Sequence, residues 1–260
     1  ISCEKANFNI SGRRSDDFVH MPAIETEEHI CVSQFTLKEI IRQTIFSIAP
    51  NENNKLMTGE LFEVKDDNLK VVSLDGHRIS IRNVQLKEHY ENRKVVVPGK
   101  TLMEISRILP GDADKDVMIF FSKNHILFQF DQTLVLSRLI EGEYFKIDQM
   151  ISSDFETKIT VNKRELLDSI ERSVLLVRES DKKPIIINIK DSNMELSLNS
   201  MIGSMREDIL VRHTGKDIMI GFNPRFMIDA LRVIDDEEIS VYMVNSKAPC
   251  FIRDDEGMYI

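Results

Sequence analysis

One recipe recurs four times along this chain: an apolar residue, a spacer, an acid, further apolar residues and an arginine. The copies are Leu37-Lys38-Glu39-Ile40-Ile41-Arg42, Leu102-Met103-Glu104-Ile105-Ser106-Arg107, Leu166-Leu167-Asp168-Ser169-Ile170-Glu171-Arg172 and Met227-Ile228-Asp229-Ala230-Leu231-Arg232. Their acids stand 65, 64 and 61 residues apart. That spacing is too even for coincidence and too long for a solenoid repeat of ~20 to 50 residues. The chain therefore reads as copies of one larger unit.

In the first copy Leu37, Ile40, Ile41, Ile45 and Ile48 share one face at helical spacing, and the other copies follow the same design. A short apolar run precedes each: His29 to Val32, Val95 to Val97, Ile159 to Val161 and Ile218 to Ile220. Pro98, Asn162 and Pro224 at the helix entries suit a first-turn proline or an N-cap. Apolar stretches flanking Asp66-Asp67-Asn68, Ser122 to His125, Lys190 to Asn193 and Asn245-Ser246-Lys247 predict hairpins after the helices. The unit is thus β-α-β-β with a further strand, and four units make two α+β domains. Glu25-Thr26-Glu27-Glu28 and Ser152-Ser153-Asp154 are the expected linkers. Residues 1–23, with a strand-like Ala6 to Ile10, read as the end of a preceding domain, and Met258-Tyr259-Ile260 as a strand begun without a stop. The expectation is that both natural termini are missing.

Net charge is −9, which argues against general attraction to nucleic acid, so the placement of the positive charges matters more than their number. The first, second and fourth amphipathic segments each sum to +1, and the third does so when Arg178 is included; the remainder of the chain is then −13, or −12 without Arg178. Taken singly, each helix is a solvated face with internal pairs such as Lys100 with Glu104 and Arg225 with Asp229 at i,i+4. Repetition changes the reading, because equivalent helices can line one surface. Their weak potentials would sum there into a phosphate contact that reads no bases.

Other chemistry finds little support. Six scattered histidines lack metal-ligand spacing, and Cys3, Cys31 and Cys250 share no CxxC, so they read as buried free thiols. No nucleophile elbow, P-loop or dinucleotide fingerprint occurs, and no cofactor is indicated. No apolar run approaches the ~18 to 20 residues of a membrane span, and no signal peptide opens the chain, which leads us to expect a soluble cytoplasmic protein. The densest unusual cluster is Leu74-Asp75-Gly76-His77-Arg78-Ile79. Asp-Gly between apolar strands is first a tight turn. The same turn could also present His77 and Arg78 at the rim of an apolar pocket where a partner docks. An enzyme using Asp75 and His77, or an interaction module without nucleic acid, are the alternatives.

Leu74 to Ile79, the run Ser137-Arg138-Leu139-Ile140-Glu141-Gly142-Glu143-Tyr144, and Ile220-Gly221-Phe222-Asn223 before an amphipathic helix resemble the bacterial sliding clamps, the β subunits of DNA polymerase III. The similarity runs from end to end. It implies the end of a first clamp domain at 1–27, a middle domain at 28–152 and a C-terminal domain at 153–260. It also implies the DNA clamp fold, with β-α-β-β-β units, helices lining a central hole and antiparallel sheets outside. The implied function is a non-catalytic head-to-tail homodimer that encircles double-stranded DNA irrespective of sequence. Through short linear motifs it would hold the replicative polymerase, the clamp loader, and repair and translesion polymerases.

Carried over by position, the partner groove would comprise Met57, Leu74, Gly76, His77, Arg78, Ile79, Phe145, Met150, Asn223, Phe226, Pro249 and Ile260. Lys38, Arg42, Lys100, Arg107, Lys163, Arg164, Arg172, Arg225 and Arg232 would face the hole, and Leu175 and Leu176 would meet the partner subunit. The sequence departs from the family at Leu74, where threonine is usual, and at Phe145, where proline is.

Overall fold

The computed structural model describes residues 1–17, 29–51, 53–151, 154–178, 183–253 and 258–260. At its start β1 (Ser2–Cys3) and β2 (Ala6–Asn7) form a small exposed hairpin. Four units follow. The first is β3 (His29–Ser33), α1 (Gln34–Thr44), β4 (Gly59–Leu74) and β5 (Ile79–Pro98). The second uses the end of β5, then α2 (Gly99–Ile108), β6 (Asp116–Phe121), β7 (His125–Phe130) and β8 (Thr133–Arg138). The third is β9 (Thr157–Asn162), α3 (Lys163–Val174), β10 (Ile185–Lys190), β11 (Asn193–Asn199), β12 (Ser204–Leu210) and β13 (Arg212–Gly215). The fourth is β14 (Ile218–Phe222), α4 (Pro224–Val233), β15 (Glu238–Met243), β16 (Cys250–Arg253) and β17 (Met258–Tyr259).

Three of the four α-helices, α1, α3 and α4, begin where side chains satisfy their first free N–H groups. Ser33 accepts from Thr36 N, Asn162 from Glu165 N and Asn223 from Arg225 N, each at 3.0 Å. In both halves a lysine of one helix also caps the end of its neighbour. Lys38 Nζ donates to Leu109 O (2.9 Å) after α2, and Lys163 Nζ to Ile234 O (2.6 Å) after α4. These contacts place a cation where the helix dipole is negative.

Every ladder is antiparallel. Strands β3-β6-β7-β8 make one four-stranded sheet and β12-β11-β10-β14 another. A seven-stranded sheet, β13-β9-β15-β16-β17-β5-β4, joins the two halves of the chain. The joint is β17, which pairs Met258 with Arg82 and Tyr259 with Ile81 of β5 on one side, and Tyr259 with Arg253 of β16 on the other. Alternation along the strands directs Ile30, Phe62, Val71, Val117 and Phe128 into one core around α1 and α2. Ile159, Ile170, Ile187, Leu196 and Leu231 enter a second around α3 and α4. A smaller third cluster, with Leu61, Val72, Leu74, Ile81, Tyr144 and Ile147, covers the other face of the β4–β5 hairpin.

The expected hairpin at Asp66-Asp67-Asn68 does not exist. β4 runs straight through it, with register shifts at Val64/Asp66 and Asp66/Asn68 and a positive φ of 53° at Asp66. The extra residues lie on β5, between Gln85 and Arg93, so the polar triplet absorbs a bulge instead of reversing the chain. Reversal occurs at Asp75 to Arg78. Of the expected linkers, residues 25–28 and 152–153 lie outside the described residues, as does the stretch 18–23. Cys3 is exposed, and Cys31 and Cys250 are half-buried, so the expectation of three buried thiols fails for Cys3. Among the described residues no helix is long and apolar enough to cross a membrane.

Candidate functional site

The turn between β4 and β5 is built by Asp75. Its backbone N–H meets Arg78 O (3.3 Å), its Oδ1 accepts from His77 N (2.9 Å) and Arg78 N (3.1 Å), and Gly76 takes the φ of +87° that closes the turn. Asp75 Oδ2 accepts from Arg78 Nε at 3.1 Å, and the carboxylate is nearly buried at 7% exposure. With both oxygens engaged, Asp75 is unsuited to work as a general base. The enzyme alternative loses its proposed carboxylate.

Arg78 reaches across the junction. Its Nη1 donates to Asp229 Oδ2 of α4 at 2.6 Å, and its guanidinium lies 4.4 Å from the Phe226 ring centre and 5.4 Å from that of Phe46. Only 16% of the side chain is exposed. A cation held by two carboxylates and two aromatic faces is a rivet between the halves of the molecule. A second rivet is Arg42, which meets Glu39 Oε2 at 2.6 Å on its own helix, Asp235 Oδ2 at 2.5 Å and Val233 O at 3.1 Å. Phe46 completes the joint by packing on the α3–α4 core.

Beside the Arg78 rivet opens a cavity of about 800 Å³. One wall is Met57, Leu74, Ile79 and Ile81 with Phe145, Met150 and Ile151; the facing wall comes from β14, α4 and β16. All twelve residues expected at a partner groove line this one cavity: Met57, Leu74, Gly76, His77, Arg78, Ile79, Phe145, Met150, Asn223, Phe226, Pro249 and Ile260. His77 lies over Phe226 with ring centres 5.8 Å apart. The lining has no acidic side chain among the described residues. Sequence reasoning missed Ile81, Ile151, Lys183, Pro184, Gly221, Phe222, Met227, Ala230, Cys250, Phe251 and Ile252. Phe251 and Ile252 sit in a readable strand, but nothing local indicates which strand end meets the turn. Burial pushes the Cys250 thiol up to about 12, so it is no nucleophile.

The basic helix residues fare differently. Lys38 and Lys163 are spent on main-chain carbonyls and Arg42 on the interdomain joint. Arg107 pairs with Glu104 (2.7 Å), displacing the expected Lys100–Glu104 contact. Arg172 pairs with Glu207 of β12, Arg232 with Glu171 of α3 (2.8 Å), and Arg164 is 4.0 Å from Asp168. Asp229, expected to serve Arg225, gives Oδ2 to Arg78. Lys100 and Arg225 are exposed in the first turns of α2 and α4.

Leu175, after α3, is 79% exposed, whereas Leu176 packs against the α3–α4 core. Near Leu176 the β11–β12 turn presents Met201 and Ile202, 91% and 52% exposed. That pair was missed, although two large apolar residues between Ser200 and Gly203 are an unusual turn composition.

The chain matches known proteins along nearly its whole length. The family model described as DNA polymerase III beta subunit, central domain, matches residues 31–146, and that of the C-terminal domain matches 148–260. A beta sliding clamp of Staphylococcus epidermidis is 32% identical over 262 residues, covering 99% of this chain and 69% of that protein. One from Staphylococcus aureus is 31% identical over 255 residues, covering 97% and 67%. Among solved structures, a DNA polymerase III beta subunit from Eubacterium rectale is 68% identical with a TM-score of 0.95, covering 99% of this chain and 71% of that one. The DNA polymerase sliding clamp from Bacillus subtilis is 34% identical with a TM-score of 0.93, covering 98% and 69%.

Proposed function

The chain belongs to the DNA polymerase III β-subunit family, the sliding clamps of DNA replication, which are processivity factors and not catalysts, and from that premise we propose that it tethers DNA-synthesising enzymes through the cavity at its domain junction. The observation that carries this reading is the cavity itself: about 800 Å³, chiefly apolar, and walled by both halves of the molecule. A short peptide laying two or three large apolar side chains there gains about 2 kcal/mol from each. The rim groups His77 and Asn223 set its register. Its sources would be the replicative polymerase, the clamp loader, and repair and translesion polymerases.

The domain division that fits this reading is 1–27, 28–152 and 153–260. A head-to-tail homodimer of three-domain subunits would close a ring around double-stranded DNA. The open edges of β8 and β12 are where further strands would add, and Leu175, Met201 and Ile202 beside β12 are the apolar surface a second subunit would cover. Lys100, Arg107, Arg164, Arg172, Arg225 and Arg232 remain the candidates to meet phosphates; Lys38, Arg42 and Lys163 serve the fold first. Contacts this sparse suit sliding, because binding by encirclement needs neither base readout nor tight phosphate grip. Such a protein works in the cytoplasm and needs no cofactor.

Two measurements test the reading. Fluorescence anisotropy with a labelled apolar linear peptide from a bacterial replicative polymerase should give saturable binding to this chain, weakened at least about tenfold by Ile79→Asn. Full-length protein loaded on a nicked circle by a clamp loader should be released when the circle is linearised; retention on linear DNA would refute encirclement.

A further inference from the structure

Away from the cavity, the helix-facing side of β4 carries a wholly buried acid, Glu60. An ionised carboxylate there requires a cation or several N–H donors to offset its lost hydration. Among the described residues it has neither: Oε2 is 3.1 Å from Thr44 Oγ1, and Oε1 has no hydrogen-bond partner. The Thr44 hydroxyl owns one proton, and Ile40 O in the preceding turn of α1 takes it at 2.7 Å. Thr44 Oγ1 can therefore meet Glu60 only as an acceptor. The proton between them belongs to the carboxyl.

The charged groups on the packed elements are engaged elsewhere. On α1, Lys38 bonds Leu109 O while Glu39 and Arg42 hold each other. On β4 and β5, Glu63 pairs with Lys94, Lys70 with Asp148 and Arg93 with Glu91. From the segment after β8, the titratable group that senses Glu60 is the Tyr144 phenol, which burial holds well above its ordinary range, with Glu60 adding to the shift. Desolvation raises Glu60 itself from 4.5 to about 8.

The same turn of α1 is gripped twice more. Ser73 Oγ donates to Thr44 O (2.5 Å) and Ser80 Oγ to Gln43 O (2.7 Å). Those serines flank the Asp75–Arg78 turn at the cavity rim. We propose that Glu60 is a neutral carboxylic acid whose own proton latches the last turn of α1 to β4, and that loss of this proton releases the turn.

The fold holds a proton that the unfolded chain gives up, so Glu60 favours folding at low pH. That contribution is lost progressively as pH rises from about 4.5 to about 8 and is constant above. Glu60→Gln keeps the shape and offers an amide N–H to Thr44 in place of the acid proton. Thermal unfolding of this chain from pH 5 to 9.5 should show the variant's midpoint gaining about 5 °C or more on the parent by pH 8, then no further. Amide exchange of residues 43–47 at pH 9, corrected for intrinsic rates, should be faster in the parent than in the variant. Parallel profiles would overturn the proposal. Should the variant fail to fold, the carboxyl-carbon resonance of Glu60 in the parent decides: a midpoint above pH 7 supports the latch, and one below pH 6 refutes it.

Discussion

The junction cavity and the basic helix face were expected on the same grounds, yet the fold treats them differently. Every residue expected at the cavity lines it, whereas three of nine basic residues are bound to main-chain carbonyls and four more to nearby acids. Apolar side chains gain by converging, and area burial acts over any short-range grouping of them. Long cations have reach, and they satisfy whichever acceptor is nearest. An apolar set can therefore be inferred from chain position, while a charge count overstates what faces solvent.

Four substitutions break or sharpen that contrast. Arg78→Ala has the largest expected effect: it leaves Asp75 and Asp229 without their shared cation, costing on the order of 3 kcal/mol, read as a lower chemical-denaturation midpoint and weaker peptide anisotropy. Ile79→Asn places a polar group in the cavity wall and should weaken peptide binding at least about tenfold, roughly 1.4 kcal/mol, with the circular dichroism spectrum intact. Lys163→Ala removes the cap on α4 and should lower stability by about 1 kcal/mol without altering DNA retention by the assembled full-length protein. Lys100→Ala should be the mirror image: stability unchanged within about 0.5 kcal/mol, and a salt dependence of DNA binding that is shallower by about one unit for each phosphate no longer neutralised. If Lys163→Ala and Lys100→Ala behaved alike, the division between structural and solvent-facing cations would collapse.

The four helices and most strands were legible because periods near 3.6 and 2 report burial directly. Asn162 and Pro224 marked their helix starts by residue type, as an N-cap and a first-turn proline. The Asp66-Asp67-Asn68 bulge was misread because turn residues mark any break in a ladder, and the surplus residues that demand the bulge lie some 20 positions away on β5. The partners of Arg78 and Arg42 were illegible for a related reason. Asp229 and Asp235 are 151 and 193 residues distant, and no local pattern records which helix end a folded hairpin will touch. Twelve cavity residues were placed through resemblance, while the remaining lining, such as Phe222 and Phe251, depends on how β14 and β16 stand against the turn.

β17 contributes two residues to the sheet, yet it separates a self-contained architecture from an adhesive one. Without it the outer edge of β5 at Ile81 and Arg82 would be open, beside a wall of Leu74, Ile79 and Phe145 facing water. A free strand edge next to an apolar patch is the template on which chains of the same sequence stack. The two domains are therefore mutual chaperones: cutting between them should yield aggregation before it yields two independent folds.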